Sequence, residues 1–176
     1  MKGKHILICG SRGIGKSTLA DKLLSHCNRP VYGFRTKATP RDPETGTFQF
    51  YIHPAGQEVW RYEEENHIGF GNEQHRQINS QIFSNFGVQC LQAEPDGIIL
   101  MDELGFMESS SKPFCDRVMA CMDGDVPVLA VIKKRHDVDF LNQLRYHPNT
   151  EVYYIDEKNR EELFDQLLPV IKQWNN

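Results

Sequence analysis

No apolar run in this sequence approaches the roughly 20 residues that a membrane-spanning helix needs. The N-terminal apolar stretch is too short for the core of a secretory signal, and no cleavage site follows it. A cytoplasmic location is therefore expected. No Cys-x-x-Cys pair occurs. Cys9, Cys27, Cys90, Cys115 and Cys121 are five in number and cannot all pair, so reduced, mostly buried thiols are expected. The histidines show no zinc-ligand spacing, which leaves packing and surface roles. Positive charge is not in excess either: the net charge is −4, which argues against nucleic acid as the main partner. No internal repeat or low-complexity segment stands out. The 176 residues suggest one domain, 1–176, with enough chain to bury well over half of its unfolded surface.

What is present begins with Gly10-Ser11-Arg12-Gly13-Ile14-Gly15-Lys16-Ser17, followed by Thr18. This fits G-x-x-x-x-G-K-[ST], the phosphate-binding P-loop. The apolar run His5–Cys9 precedes it at strand length. Leu19, Leu23 and Leu24 follow it at helical spacing. Strand, glycine turn and helix form the context in which the motif works. Glycines let backbone N–H groups approach phosphate oxygens, and the helix start supplies more donors and a positive dipole end. Lys16 is expected to reach the β- and γ-phosphates, and the Ser17 hydroxyl to ligate Mg²⁺.

Further along, Gly97-Ile98-Ile99-Leu100-Met101-Asp102-Glu103 is an apolar run ending in two acids, the Walker B pattern. A buried parallel strand delivers such acids at its C-terminal edge, where α/β sheets bind ligands. Asp102 is expected in the Mg²⁺ shell and Glu103 beside the attacking water. Val126–Ile132 reads as another buried strand, with Lys133-Lys134-Arg135 at its end. One of the three could neutralise γ-phosphate; a solvated basic turn is the competing reading.

The remaining elements follow from periodicity. Helices are expected over 16–27, 80–93, 110–122 and 138–145. A final helix carries the stripe Leu163, Phe164, Leu167, Leu168, Ile171 and Trp174, and Pro169 should kink or split it. Residues 47–52 and 57–62, β-rich around a Pro/Gly turn, read as an antiparallel hairpin insert over about 47–62. Residues 63–79 read as loop with a short strand or helix. The fold expected is a three-layer α/β P-loop NTPase fold. Its five parallel strands lie near 4–9, 31–36, 97–102, 127–132 and 151–155. The Asp-Glu pair favours strand order 5-1-4-3-2; the kinase-like order 2-3-1-4-5 stays open.

With these pieces in place, the chain resembles the THEP1-type nucleoside-triphosphatase family. The matching parts are Gly10–Thr18, the Gly-Phe-x-Thr strand Val31–Thr36, the stretch Ile99–Glu108 and the helix opening Asp156-Glu157-Lys158-Asn159-Arg160. The resemblance implies slow, Mg²⁺-dependent hydrolysis of several nucleoside triphosphates, with Lys16, Ser17, Asp102 and Glu103 in the roles given above. Arg35 and Arg160 are candidates for γ-phosphate or base contacts by position. Two other readings compete. A kinase would need an added acceptor for turnover. A non-catalytic switch would bind nucleotide without turnover and present Phe48, Phe50, Tyr51, Trp60 and Tyr62 to a protein partner.

Overall fold

In the computed structural model, which describes residues 5–175, the strands form one sheet. They are β1 His5–Gly10, β2 Val31–Ala38, β3 Phe48–Pro54, β4 His67–Gly71, β5 Arg76–Ile78, β6 Ile98–Leu104, β7 Val128–Lys133 and β8 Thr150–Tyr154. The helices are α1 Lys16–Leu24, α2 over residues 80–90, α3 Lys112–Asp123, α4 Asp139–Arg145 and α5 Arg160–Trp174. Residue 4 of the expected first strand lies outside the described residues. No described helix is long and apolar enough to cross a membrane.

Strand order is β5-β4-β3-β2-β6-β7-β1-β8. The neighbours among β2, β6, β7, β1 and β8 are all parallel. Numbered in chain order, these five strands run 5-1-4-3-2, the order favoured by the Asp-Glu pair. The three central strands β1, β6 and β7 are apolar over most of their length because both faces are covered. Along β1, Ile6 and Ile8 pack on one side with Leu19 and Leu23 of α1 and Leu163, Leu167 and Ile171 of α5. Leu7 and Cys9 pack on the other with Phe83 of α2, Phe114 and Val118 of α3 and Leu141 of α4. Each fully buried side chain of this kind contributes about 1.5–3 kcal/mol relative to exposure. His5 is a satisfied core histidine: its Nδ1 accepts from the Val128 N–H at 3.1 Å, and its Nε2 lies 2.9 Å from the Met122 carbonyl. All five cysteines are free thiols.

The insert departs from expectation. β2 pairs antiparallel with β3, and β3 with β4, not with residues 57–62. Those residues form no strand. They lie over the sheet as a loop, with Trp60 edge-on to His53 at 4.3 Å and Tyr62 edge-on to Tyr51 at 5.1 Å. The Asn66 side chain holds the loop down, donating to the carbonyls of Ile52 and Arg61 at 2.9 Å each. The aromatic residues that suggested a second hairpin arm thus serve ring packing from a loop. Helix α2 ends at residue 90 and takes a π turn over Phe83–Gly87. Helix α5 is not split: it continues through Pro169, with Leu163, Leu167 and Ile171 buried on both sides of the proline.

Candidate active site

β1 ends at Gly10, and the chain turns through Ser11–Gly15 into α1. Gly13 and Gly15 have φ of 74° and 102°, in the left-handed region that side chains disfavour. No side-chain oxygen caps α1 at Gly15. The N–H groups of its first turn are left to meet an anion. Gly10 is needed for another reason: a Cβ there would stand 2.7 Å from the Ile155 side chain. Ile14 packs partly into the core between α1 and α5.

Lys16 is buried, 5% exposed. Its Nζ donates to the Ser11 carbonyl at 2.8 Å and pairs with Glu103 Oε2 at 3.0 Å. The Ser17 hydroxyl donates to Asp102 Oδ1 at 2.7 Å. Two acids from β6 therefore converge on two consecutive P-loop residues. Successive side chains of a regular strand face opposite ways. Here the pairing of β6 with β7 shifts register between Asp102 and Leu104, so Glu103 is the unmatched residue of a bulge. Such a bulge re-aims a side chain and lets both carboxylates face α1. The Asp102–Glu103 peptide is cis.

Asp102 is buried, and burial pushes its carboxyl upward, against the Ser17 hydrogen bond and the nearby Arg35 and Lys37 charges. Arg35 donates to Asp102 Oδ2 at 3.1 Å and to Asp21 Oδ1 at 2.6 Å. Its guanidinium is thus committed to carboxylates. Lys133 Nζ stands 3.6 Å from Glu103 Oε1, so Glu103 lies between two ammonium groups. Arg12, exposed at the rim of the P-loop cavity, pairs with Glu73 at 3.3 Å. Arg160 at the start of α5 lies over Gly15, its Nε 3.8 Å from where a Cβ would be.

A cavity of about 320 Å³ opens between Gly13, Lys16, Thr18, Thr36, Lys37 and Glu103. A second, of about 200 Å³, is lined by Gly15, Thr18, Ile155, Arg160 and Phe164. Thr18 and Gly15 belong to both. The candidate residues of the P-loop, Asp102, Glu103, Arg35 and Arg160 are all brought to the C-terminal edge of the parallel strands.

Two participants carried no role in the sequence reading. Thr36 Oγ1 is buried without a hydrogen-bond partner on the first cavity. Glu108 is fully buried; its Oε2 accepts from the Gly105 N–H at 2.8 Å, and its Oε1 has no partner. Burial pushes its carboxyl up to about 7. The signal for Glu108 was an acid directly after Phe106-Met107 in a strand-end turn. Nothing in its local pattern separates it from a solvated acid.

The sequence model of a family described as NTPase matches residues 5–168. The nucleoside-triphosphatase THEP1 of Thermotoga maritima is 28% identical over 181 residues, covering 95% of each chain. That of Thermotoga sp. strain RQ2 is 30% identical over 181 residues, again with 95% of each chain. The crystal structure of THEP1 from Aquifex aeolicus superposes with a TM-score of 0.72 at 25% identity, covering 96% of this chain and 99% of that one.

Proposed function

The chain belongs to the NTPase family, and from that premise we propose that it hydrolyses nucleoside 5′-triphosphates to diphosphates and phosphate, slowly, with Mg²⁺ and with broad base tolerance. The observation that carries the reading is the meeting of Lys16 and Ser17 with Glu103 and Asp102 at 3.0 and 2.7 Å. We take residues 1–176 as one domain acting on free nucleotide in the cytoplasm.

The donor set suits Mg²⁺. Ser17 and Asp102 offer hard oxygens, and the unpartnered Thr36 hydroxyl lines the same cavity. Among the described residues no group of three or more His, Cys, Asp or Glu is gathered to hold a metal. Mg²⁺ needs no such cage, since it is commonly held by one or two carboxylates, substrate phosphates and water. Bound there, it would neutralise charge on the β- and γ-phosphate oxygens. Ser17 and Asp102 would hold it, with Arg35 fixing the Asp102 carboxylate from behind.

The protein's own steps follow from position. The P-loop N–H groups and the α1 start bind the phosphate chain. Lys16 moves its ammonium from Glu103 and Ser11 onto the transferring phosphoryl group. Glu103, released on one oxygen and still facing Lys133, orients a water and accepts its proton. The base sits against Phe164 beneath Arg160. The polar groups nearby, Lys22 and Glu161, are paired with each other at 2.8 Å, which suits tolerance of several bases.

Phosphate release from ATP, GTP, CTP and UTP, with Mg²⁺ and with a chelator, tests this reading. All four should turn over without an added acceptor, and chelation should abolish release. Release that survives both chelation and Lys16→Ala would refute it.

A further inference from the structure

Beyond the nucleotide's two cavities lies a third, of about 680 Å³, that shares Gly10, Ser11 and Arg12 with the P-loop. Its cationic lining comes from three separate segments: Arg12, Arg76 and Lys133-Lys134-Arg135, with Glu73 as the single carboxylate. A chain of net charge −4 repels anions as a whole, so five cationic side chains around one cavity need an explanation.

The groove is built, not merely charged. Arg145, 7% exposed, fixes the 133–135 turn from below. Its guanidinium donates to the carbonyls of Lys133 at 2.7 Å and Arg135 at 2.9 Å. Across the groove, the Asn72 side chain accepts from the N–H groups of Gln74 and His75 at 2.8 Å each, locking the turn before Arg76. Arg76 is half-buried, with its guanidinium 4.9 Å from the Phe50 ring centre and 5.5 Å from that of Phe106. Among the described residues no carboxylate pairs with it. Arg12 and Arg135 do have partners, Glu73 and Asp137, but these pairs are largely exposed and cheaply exchanged for a stronger anion. Lys133 touches Glu103 at the seam between this groove and the phosphate site.

We propose that this groove is a second anion site, for a small molecule carrying phosphate monoester groups, occupied beside the nucleotide. It rests on the reading of the P-loop cavity as the nucleotide site. Arg76 donates only to the neutral Asn72 carbonyl at 3.3 Å and the Met107 sulfur at 3.8 Å; a half-buried arginine with no carboxylate is matched by a phosphate, which takes paired N–H donors together. Confinement of the charge to one cavity on an acidic chain favours a small anion over an extended polymer.

The test is calorimetric titration with fructose 1,6-bisphosphate of protein saturated with ADP and Mg²⁺, with fructose as the uncharged control. Wild type should bind one bisphosphate with ADP in place and no fructose. Lys134→Glu combined with Arg135→Glu should weaken binding at least tenfold while ADP affinity, the folding control, stays within about twofold. Arg76→Gln should weaken it likewise. Three results would overturn the proposal: binding only to ADP-free protein, equal binding by the variants, or an eight-nucleotide oligothymidylate that binds more tightly than the bisphosphate. Phosphate release measured on the same preparations separates the two claims. Turnover without bisphosphate binding removes only the second site. Absence of ADP binding and of turnover removes the nucleotide reading, and the variants with bisphosphate alone then still decide the groove.

Discussion

Lys16 Nζ and Glu103 Oε2 stand 3.0 Å apart, and that contact sets what each substitution should do. Lys16→Ala removes the charge that meets the transferring phosphoryl group. Phosphate release should fall on the order of a thousandfold, and nucleotide affinity with it. Glu103→Gln keeps the shape but cannot take a proton. Release should fall about a hundredfold or more, while ADP affinity changes little. Equal loss of affinity in both variants would place Glu103 in binding instead of proton transfer. Glu108 yields a prediction about pH. Its folded carboxyl is raised from the usual 4.5 to about 7 because burial disfavours the charge. Between those values the folded chain keeps a proton that the unfolded chain has released. The stability this contributes is complete below about pH 4.5 and lost as pH rises through about 7. Glu108→Gln carries no such proton. Its advantage over wild type in urea unfolding should therefore grow from ~pH 5 to ~pH 8, by an amount on the order of 3 kcal/mol. An advantage that does not change with pH would mean that Glu108 is not protonated in the folded chain.

At the scale of elements, legibility followed burial. The five parallel strands are readable within one or two residues: β1, β6 and β7 because strands covered on both faces are nearly unbroken apolar runs, as in Ile98–Met101, and the half-buried β2 and β8 because β-branched and aromatic residues cluster in them. Strands β4 and β5 are not. In β4, His67-Ile68-Gly69-Phe70-Gly71, glycines erase the alternation that marks a half-buried strand. The aromatic residues of 57–62 supplied a false one. The convergence of Asp102 and Glu103 was anticipated from the motif, but its cause was not: a bulge is set by pairing with β7, which no local pattern in β6 reports. Pro169 shows tertiary packing overriding local preference. It removes the N–H that would meet the Asp165 carbonyl, yet buried Leu163 and Leu167 before it and Ile171 after it keep α5 whole. The residue is exposed, so Pro169→Ala should restore a hydrogen bond without disturbing the core. We expect a gain of about 1 kcal/mol or more in the urea unfolding free energy. Gly33 is the opposite case. Its φ is 98°, and a Cβ would lie 1.9 Å from the Leu100 carbonyl oxygen in the neighbouring strand. Gly33→Ala should cost several times what Pro169→Ala gains, and a soluble variant of unchanged stability would contradict this packing.

Across the whole molecule, the proposed nucleotide site is made of segments far apart in the chain: residues 10–18, 102–103 and 155–164. They meet because all of them leave the sheet at the same edge. A ligand bound there ties α1, β6 and α5 together and binds no comparable surface in the unfolded chain. ADP with Mg²⁺ at a hundredfold excess over its dissociation constant should therefore add about 2.7 kcal/mol to the unfolding free energy. For a chain of 176 residues that is a rise of about 5–10 °C in the melting temperature. Lys16→Ala should lose most of the rise, whereas Lys134→Glu, outside the nucleotide's cavities, should keep it. Hydrogen exchange adds spatial resolution to the same experiment. Protection should appear together at the P-loop, at the end of β6 and at the first turn of α5. Protection confined to the P-loop would mean that the β6 acids and Arg160 do not share the site, and the enzymatic reading would lose its geometric basis.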